Sequence, residues 1–209
     1  MDAAGSHYFD EDPSAASEPQ EVTLLLPDVR LRLVTDRGVF GYGQVDPGTK
    51  ALLLAVPPPP QSGDLLDLGC GTGAIALVMA RRAPGATVWA VDVNERARSL
   101  CAANAATNSI GNVRVVAPDE VPDHVRFAAI WSNPAIRIGK PALHAMLMRW
   151  LGRLADDGTA TMVVHKHLGS DSLQQWLVRQ GHPTERLSSA KGYRLLRSGP
   201  RRVDGDAQT

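Results

Sequence analysis

The run Asp67-Leu68-Gly69-Cys70-Gly71-Thr72-Gly73 has the composition of a turn that lets a ligand reach the main chain. A Cβ at those positions would hold the ligand off the backbone N–H donors. The turn follows an apolar β-type run, Leu65–Leu68, and opens a helical one, Gly73–Arg82. Such a junction presents backbone N–H groups and a helix dipole to an anionic group. Asp92 closes the next β-type run, where a carboxylate accepts hydrogen bonds from ribose hydroxyls. Farther on, Ser132-Asn133-Pro134-Ala135 ends another such run. The Asn133 side-chain oxygen and the Pro134 carbonyl make two acceptors for one exocyclic NH2, which aims the nitrogen lone pair away from both.

Two cofactor types fit the glycine turn. Gly69-Cys70-Gly71-Thr72-Gly73-Ala74 satisfies the looser GxGxxA pattern of dinucleotide sites. Three features weigh against that reading. Asp67 would repel a pyrophosphate but suits an ammonium, the third glycine comes one residue too early, and the Asn133 motif has no use in hydride transfer. A cofactor with both an amino-acid and a nucleoside part suits all three, and S-adenosylmethionine is such a molecule. Methyl transfer from a sulfonium to an amine needs in-line positioning and desolvation, with no strong base before attack.

The elements that must position these residues follow from pattern. Val22–Leu26 and Val29–Thr35 flank the turn pair Pro27-Asp28 and predict a hairpin. Asp46 caps a helix that has Pro47 at its first position and runs through Val56, where Pro57–Pro60 ends it. After Leu65–Leu68 and Gly73–Arg82 come strands at Thr87–Val91, Val113–Val116, Phe127–Trp131 and Thr159–His165. Helices at Asn94–Thr107, Lys140–Leu154 and Ser170–Arg179 alternate with them, and late strands near Thr184–Leu187 and Tyr193–Arg197 complete the set. Strands alternating with helices of this length predict an α/β fold with a mostly parallel sheet covered on both faces. The division expected is a flexible acidic segment at 1–20, one domain at 21–198 and a disordered tail at 199–209.

Composition narrows the class. At 209 residues, 44% hydrophobic and 21% charged, the chain is long enough for a sizeable core. No apolar run nears the roughly 20 residues of a membrane span, and the acidic start lacks the features of a secretory leader. A cytoplasmic protein, monomeric by default, is expected. Cys70 and Cys101 have neither metal nor CxxC spacing and read as reduced thiols, while His165 and His167 lack acidic or Cys partners nearby, so no metal is expected. Net charge is zero, but residues 1–21 hold six acidic and no basic side chains, and residues 126–209 hold 13 basic and 6 acidic. That imbalance admits a polyanion against the C-terminal half; solvated arginines on helix faces explain it equally well.

Asp67–Gly73, Asp92 and the Ser-Asn-Pro segment together resemble a class I S-adenosylmethionine-dependent methyltransferase, with its Rossmann-like sheet of seven strands. More narrowly, the chain resembles the small-domain methyltransferases whose best-known members modify the guanine N2 amine of small-subunit ribosomal RNA. The narrower likeness rests on Gly38-Val39-Phe40 with Asp46-Pro47-Gly48-Thr49, on Ser132 through Lys140, and on Lys191-Gly192-Tyr193-Arg194-Leu195-Leu196. It covers residues 22–198. The resemblance implies that Asp67, Gly69, Gly71 and Gly73 cradle the methionine part and Asp92 the ribose. Asp119, with Glu120 as a rival, would meet adenine, and Asp46 and Thr49 would close the cofactor from upstream. Asn133 and Pro134 would hold the target amine as the catalytic pair, with Asn133 also at the cofactor; Ile136, Arg137 and Lys140 would face the RNA. Lys191, Arg194, Arg197, Arg201 and Arg202 form a further candidate RNA fringe. Ala135 stands where the family has a second proline, which predicts a looser turn at Pro134; Ile136 is not aromatic, and Ala128 replaces a common acid. The alternatives are an N-methyltransferase of a protein amide or a small-molecule amine, and a non-catalytic cofactor- or RNA-binding homologue.

Overall fold

The computed structural model describes residues 15–202. β1 (Gln20–Leu25) and β2 (Arg30–Thr35) pair antiparallel, Gln20 opposite Thr35 and Leu25 opposite Arg30, as a separate hairpin. α1 (Pro47–Ala55) starts at Asp46 and ends where Val56 turns extended ahead of Pro57. There follow β3 (Ser62–Leu68), α2 (Ala74–Arg82), β4 (Gly85–Val91), α3 (Glu95–Thr107), β5 (Val113–Val116), β6 (Phe127–Ser132), α4 (Lys140–Leu151), β7 (Leu154–His165), α5 (Ser170–Arg179), β8 (Thr184–Ala190) and β9 (Tyr193–Ser198). The main sheet has the order β5-β4-β3-β6-β7-β9-β8. Its first five strands are parallel, and β9 and β8 close it antiparallel. This is the expected Rossmann-like sheet, preceded by the expected hairpin.

Alternation along the strands fills both faces. Leu65, Val88, Ala90, Ala129, Trp131 and Val163 point to a core shared with the hairpin, α1, α2 and α3. Their neighbours Leu66, Trp89, Val91, Ile130, Met162 and Val164 point to a second core against α4 and α5. Successive side chains of a strand face opposite ways, so one short apolar run supplies both layers. β7 begins at Leu154 rather than at Thr159, and α4 stops at Leu151. A register shift between Phe127 and Ala129 admits the extra residues, and a Cβ at Gly158 would lie 2.5 Å from the Phe127 carbonyl.

The ends expected to be free are partly tied down. Of the acidic segment, residues 1–14 lie outside the described residues, but Ser17 and the Glu18 N–H both bond the Asp36 carboxylate. Of the tail, residues 203–209 lie outside. Gly199 donates to the Pro183 carbonyl and Arg202 to that of Gly181, so residues 199–202 run along the start of β8.

The hairpin is fastened by two side chains that act as a missing strand. Asn104 bonds both the N–H and the carbonyl of Val34 (2.7 and 3.0 Å), and Asn108 does the same for Arg32 (3.1 and 2.7 Å). Four residues of helix advance about 6 Å and two residues of strand nearly the same, so the asparagines match the ladder spacing. Asn104 is fully buried and also donates to the Thr72 carbonyl in the glycine turn. Replacing it strands buried main-chain groups. Asn104→Ala is therefore expected to lower stability by about 2–3 kcal/mol, and the more exposed Asn108→Ala by about 1 kcal/mol. Urea denaturation of the two variants checks this; equal losses would contradict it.

Candidate active site

The turn after β3 uses its three glycines for different ends. All take positive φ: +77° at Gly69, +52° at Gly71 and +89° at Gly73. A Cβ at Gly69 would meet nothing within 4 Å, so that face is open to a ligand. A Cβ at Gly73 would lie 2.7 Å from Cys101 Sγ on α3. Gly73 thus serves the packing of the turn on α3, beside whatever part it has toward a ligand. Gly69 and Cys70 both donate to the Val91 carbonyl, which pins the turn to the end of β4.

Two carboxylates stand under the turn. Asp92 accepts from the Gly71 N–H at 2.9 Å and the Asn94 N–H at 3.0 Å, one bond to each oxygen. Each oxygen keeps a second acceptor site. Burial raises its pKa. Asp67 is fully buried; its Oδ2 accepts from the Ala76 N–H in the first turn of α2, while its Oδ1 has no partner. Burial first, opposed by the Ala76 bond and reinforced by the charge of Asp92, pushes Asp67 up to about 8. Cys70, expected as a reduced filler, is a buried free thiol beside Cys101, and the contact with Cys101 and burial push its pKa up. Such a thiol is a poor nucleophile.

At the end of β6, Ser132 donates to the Leu68 carbonyl at 2.7 Å and locks this strand end beside the glycine turn. Asn133 follows. Its Nδ2 donates to Asp46 Oδ1 at 2.7 Å and to Thr49 Oγ1 at 3.1 Å. An ionised carboxylate has only lone pairs to offer, so the amide nitrogen must face Asp46 and the amide oxygen is turned away, free to accept. The same Asp46 oxygen takes the Thr49 N–H at 2.8 Å as the cap of α1. Asp46 and Thr49, expected to act on the cofactor, are first of all the holders of Asn133.

The Pro134 carbonyl is partly engaged. It accepts from the Ile136 N–H at 2.8 Å around Ala135, whose φ −69° and ψ 74° make an inverse γ-turn. One of its two acceptor sites remains. Ala135 already holds φ at the value proline imposes, so the turn has the proline-like shape without the restraint that proline would add.

One pocket joins Asp46, Thr49, Asn133, Gly69 and Gly71. Phe40, Gly41, Gln44 and Val45 form its upstream wall. That segment is held by Asn94, which donates to the Gly38 carbonyl, and by Arg96, which donates to that of Arg37. Tyr193 lies in the family-like segment 191–196, which by itself gives it no role. Its ring packs on Gly48, where a Cβ would lie 2.8 Å from it and 3.0 Å from Asp46 Oδ1. Only the complete fold brings β9 to the start of α1, so no local pattern announces this contact.

Other expected residues lie elsewhere. Asp119 is exposed and pairs with Arg149 of α4 at 2.9 Å, and Glu120 accepts from the Ala117 N–H within its own turn. Neither lines the pocket. Ile136 packs against the second core. Arg137 and Lys140 are exposed beyond Asn133 and make no ion pair among the described residues. In the expected fringe, Arg194 pairs with Asp171 and Arg197 with Glu185.

Comparison with known proteins follows the same lines. The model of the methyltransferase small domain family matches residues 30–197. The chain is 33% identical over 195 residues to a Bacillus subtilis protein, "Uncharacterized protein YbxB", covering 92% of this chain and 97% of the other. It is 31% identical over 189 residues to the ribosomal RNA small subunit methyltransferase C of Pseudomonas aeruginosa, covering 88% of this chain but 55% of that one. It therefore spans about half of the ribosomal RNA enzyme. A solved structure described as T. thermophilus 16S rRNA N2 G1207 methyltransferase in complex with AdoMet and guanosine superposes at a TM-score of 0.76. The identity is 24%, over 90% of this chain and 52% of that one.

Two predictions test the site. Pro at 135 fits the observed φ, so Ala135→Pro should stabilise the protein by about 0.4–1 kcal/mol without lowering activity; lost turnover would mean the γ-turn has to move. Asp67 holds a proton in the folded protein that the unfolded chain releases above pH 4. Its contribution to stability is thus greatest at or below pH 4, falls as pH rises to about 8 and is flat above. Stability of the wild type relative to Asp67→Asn should fall over that window in denaturant titrations. A pH-independent difference would contradict the buried proton.

Proposed function

The chain belongs to the methyltransferase small domain family, an S-adenosylmethionine-dependent methyltransferase, and on that premise we propose that it methylates the guanine N2 amine of small-subunit ribosomal RNA. The observation that carries the reading is the orientation of Asn133. With Nδ2 bonded to Asp46 and Thr49, its oxygen is the group presented to a planar NH2. The curated relative's name favours small-subunit ribosomal RNA and the solved structure's title favours guanine N2, while Arg137 and Lys140, without an ion pair among the described residues, favour a polyanion. We place the protein in the cytoplasm with its substrate; no helix among the described residues is long and apolar enough to cross a membrane.

The residues fit the cofactor. Gly69 leaves an open face, Asp67 keeps one buried oxygen without a partner, and Asp92 has acceptor sites left. Gly69, Gly71 and Asp67 would hold the methionine part and Asp92 the ribose, and Asp119 would exchange its surface pair with Arg149 for adenine. When bound, the cofactor supplies an electrophilic methyl on a cationic sulfur. The protein's task is to bind and orient. Asn133 Oδ1 and the free site of the Pro134 carbonyl accept the two N–H bonds of the target amine, leaving its lone pair directed away from both. Orientation of this kind is worth orders of magnitude in rate without a base. The nitrogen, cationic once it carries the methyl, then passes its proton to solvent water. Ile136 offers an apolar wall to the base, and Arg137 and Lys140 meet its phosphates.

Transfer from labelled S-adenosylmethionine to small subunits, to free ribosomal RNA and to a protein extract, followed by nucleoside analysis, tests the reading. Label is expected as N2-methylguanosine. Label on protein or small amines would overturn the substrate, and no label with bound cofactor would overturn the activity. Asn133→Ala should lower turnover by about 100-fold or more while leaving cofactor affinity nearly intact; equal loss of both would remove Asn133 from its role.

A further inference from the structure

Among the described residues, two that are not glycine take positive φ, Ser109 and Lys191. Lys191 stands at the tip between β8 and β9. Ala190 pairs with Tyr193, and Lys191 (φ 49°) and Gly192 (φ 84°) make the two-residue turn. Both central residues are left-handed, the type I′ hairpin, whose first position favours Asn, Asp or Gly. A lysine there works against the turn, and strained side chains of this kind collect at functional sites.

The tip is held beside the candidate active site by a series of contacts. Lys166 donates its N–H to the Gly192 carbonyl at 2.8 Å. The His165 ring lies under Gly192, where a Cβ would be 3.1 Å from Nε2. Tyr193 sits edge-on to His165 at 5.0 Å and, on its other side, packs on Gly48 next to Asp46, the partner of Asn133. The charges of this region are divided by position. Arg186 and Arg194 share Asp171, and Arg197 holds Glu185. Lys166 and Lys191 are exposed and make no ion pair among the described residues. The nearby carboxylate, Asp46, is occupied by Thr49 and Asn133.

We propose that Lys191 and Lys166 are a phosphate clamp that holds the RNA backbone beside the target nucleotide, in addition to Arg137 and Lys140. This rests on the reading of the substrate as RNA. Lysine offers phosphate a compact charge without sequence preference. A strand gripped at more than one phosphate would be fixed while its base enters the pocket.

Lys191→Asn separates this role from a structural one, because Asn-Gly is the preferred type I′ pair. The variant should melt at or above the wild-type temperature and bind S-adenosylmethionine unchanged, yet show a KM for ribosomal RNA about tenfold higher. Lys191→Asn combined with Lys166→Gln should also flatten the log–log dependence of RNA affinity on salt by about 0.7–0.9 per lysine. Unchanged KM and salt slope in variants that still methylate RNA would overturn the clamp and leave the substrate reading standing. Loss of RNA affinity only in step with thermal stability would reduce Lys191 to a turn residue. A wild type that transfers no methyl to RNA would overturn the substrate reading and the clamp with it.

Discussion

Three hydrogen bonds around Asp46 and Thr49 set the geometry of the whole site. Asp46 Oδ1 takes the Thr49 N–H and the Asn133 amide, and Thr49 Oγ1 takes that amide again. One carboxylate thereby starts a helix and orients a side chain at the end of a strand 87 residues later. The surroundings keep it in place. Pro47 begins α1, Gly48 lets Tyr193 come close, and Ser132 fixes the end of β6 to β3. An asparagine free to flip would present donor and acceptor in turn; held by an acceptor, it presents one.

The glycine turn depends on the same economy of polar groups. The N-terminus of α2 has no side-chain cap of its own at Gly73, and Asp67 supplies an acceptor from the strand behind it. Asp92 ties Gly71 and Asn94 together. Asn104 then joins the Thr72 carbonyl to the hairpin. What is left over is the unpaired Asp67 oxygen and the open face of Gly69. Unsatisfied buried polar atoms are costly, and Asp67 Oδ1 is one that the described fold leaves without a partner.

Much of this was legible in the chain. Leu65–Leu68, Thr87–Val91 and Phe127–Trp131 are short apolar runs between helical stretches, and they became the central parallel strands. The Asp46-Pro47 start announced α1 because cap and first-turn chemistry are local. What could not be read was tertiary. Asn104 and Asn108 look like ordinary helix-end polar residues until β2 lies alongside them. Gly73 looks like its neighbours until Cys101 is seen against it. Asp119 follows the expected strand, but its exposed ion pair with Arg149, thirty residues on, has no local signal. The basic C-terminal half also divides only in space, into arginines matched by Asp171 and Glu185 and cations such as Arg137, Lys166 and Lys191 that make no ion pair among the described residues.

The proposed function turns on Asp46 holding the amide of Asn133. Its most direct measurement is the single-turnover rate and the cofactor dissociation constant of Asp46→Asn and Asp46→Ala side by side. Asp46→Asn keeps an acceptor for both N–H groups and should lose little. Asp46→Ala leaves the amide only the Thr49 hydroxyl, which can donate as well as accept, and should slow transfer about 100-fold, with cofactor affinity within a few-fold of the wild type and folding weakened by only about 1 kcal/mol from the lost cap. Equal behaviour of the two variants, or loss of cofactor affinity in proportion to rate, would contradict it.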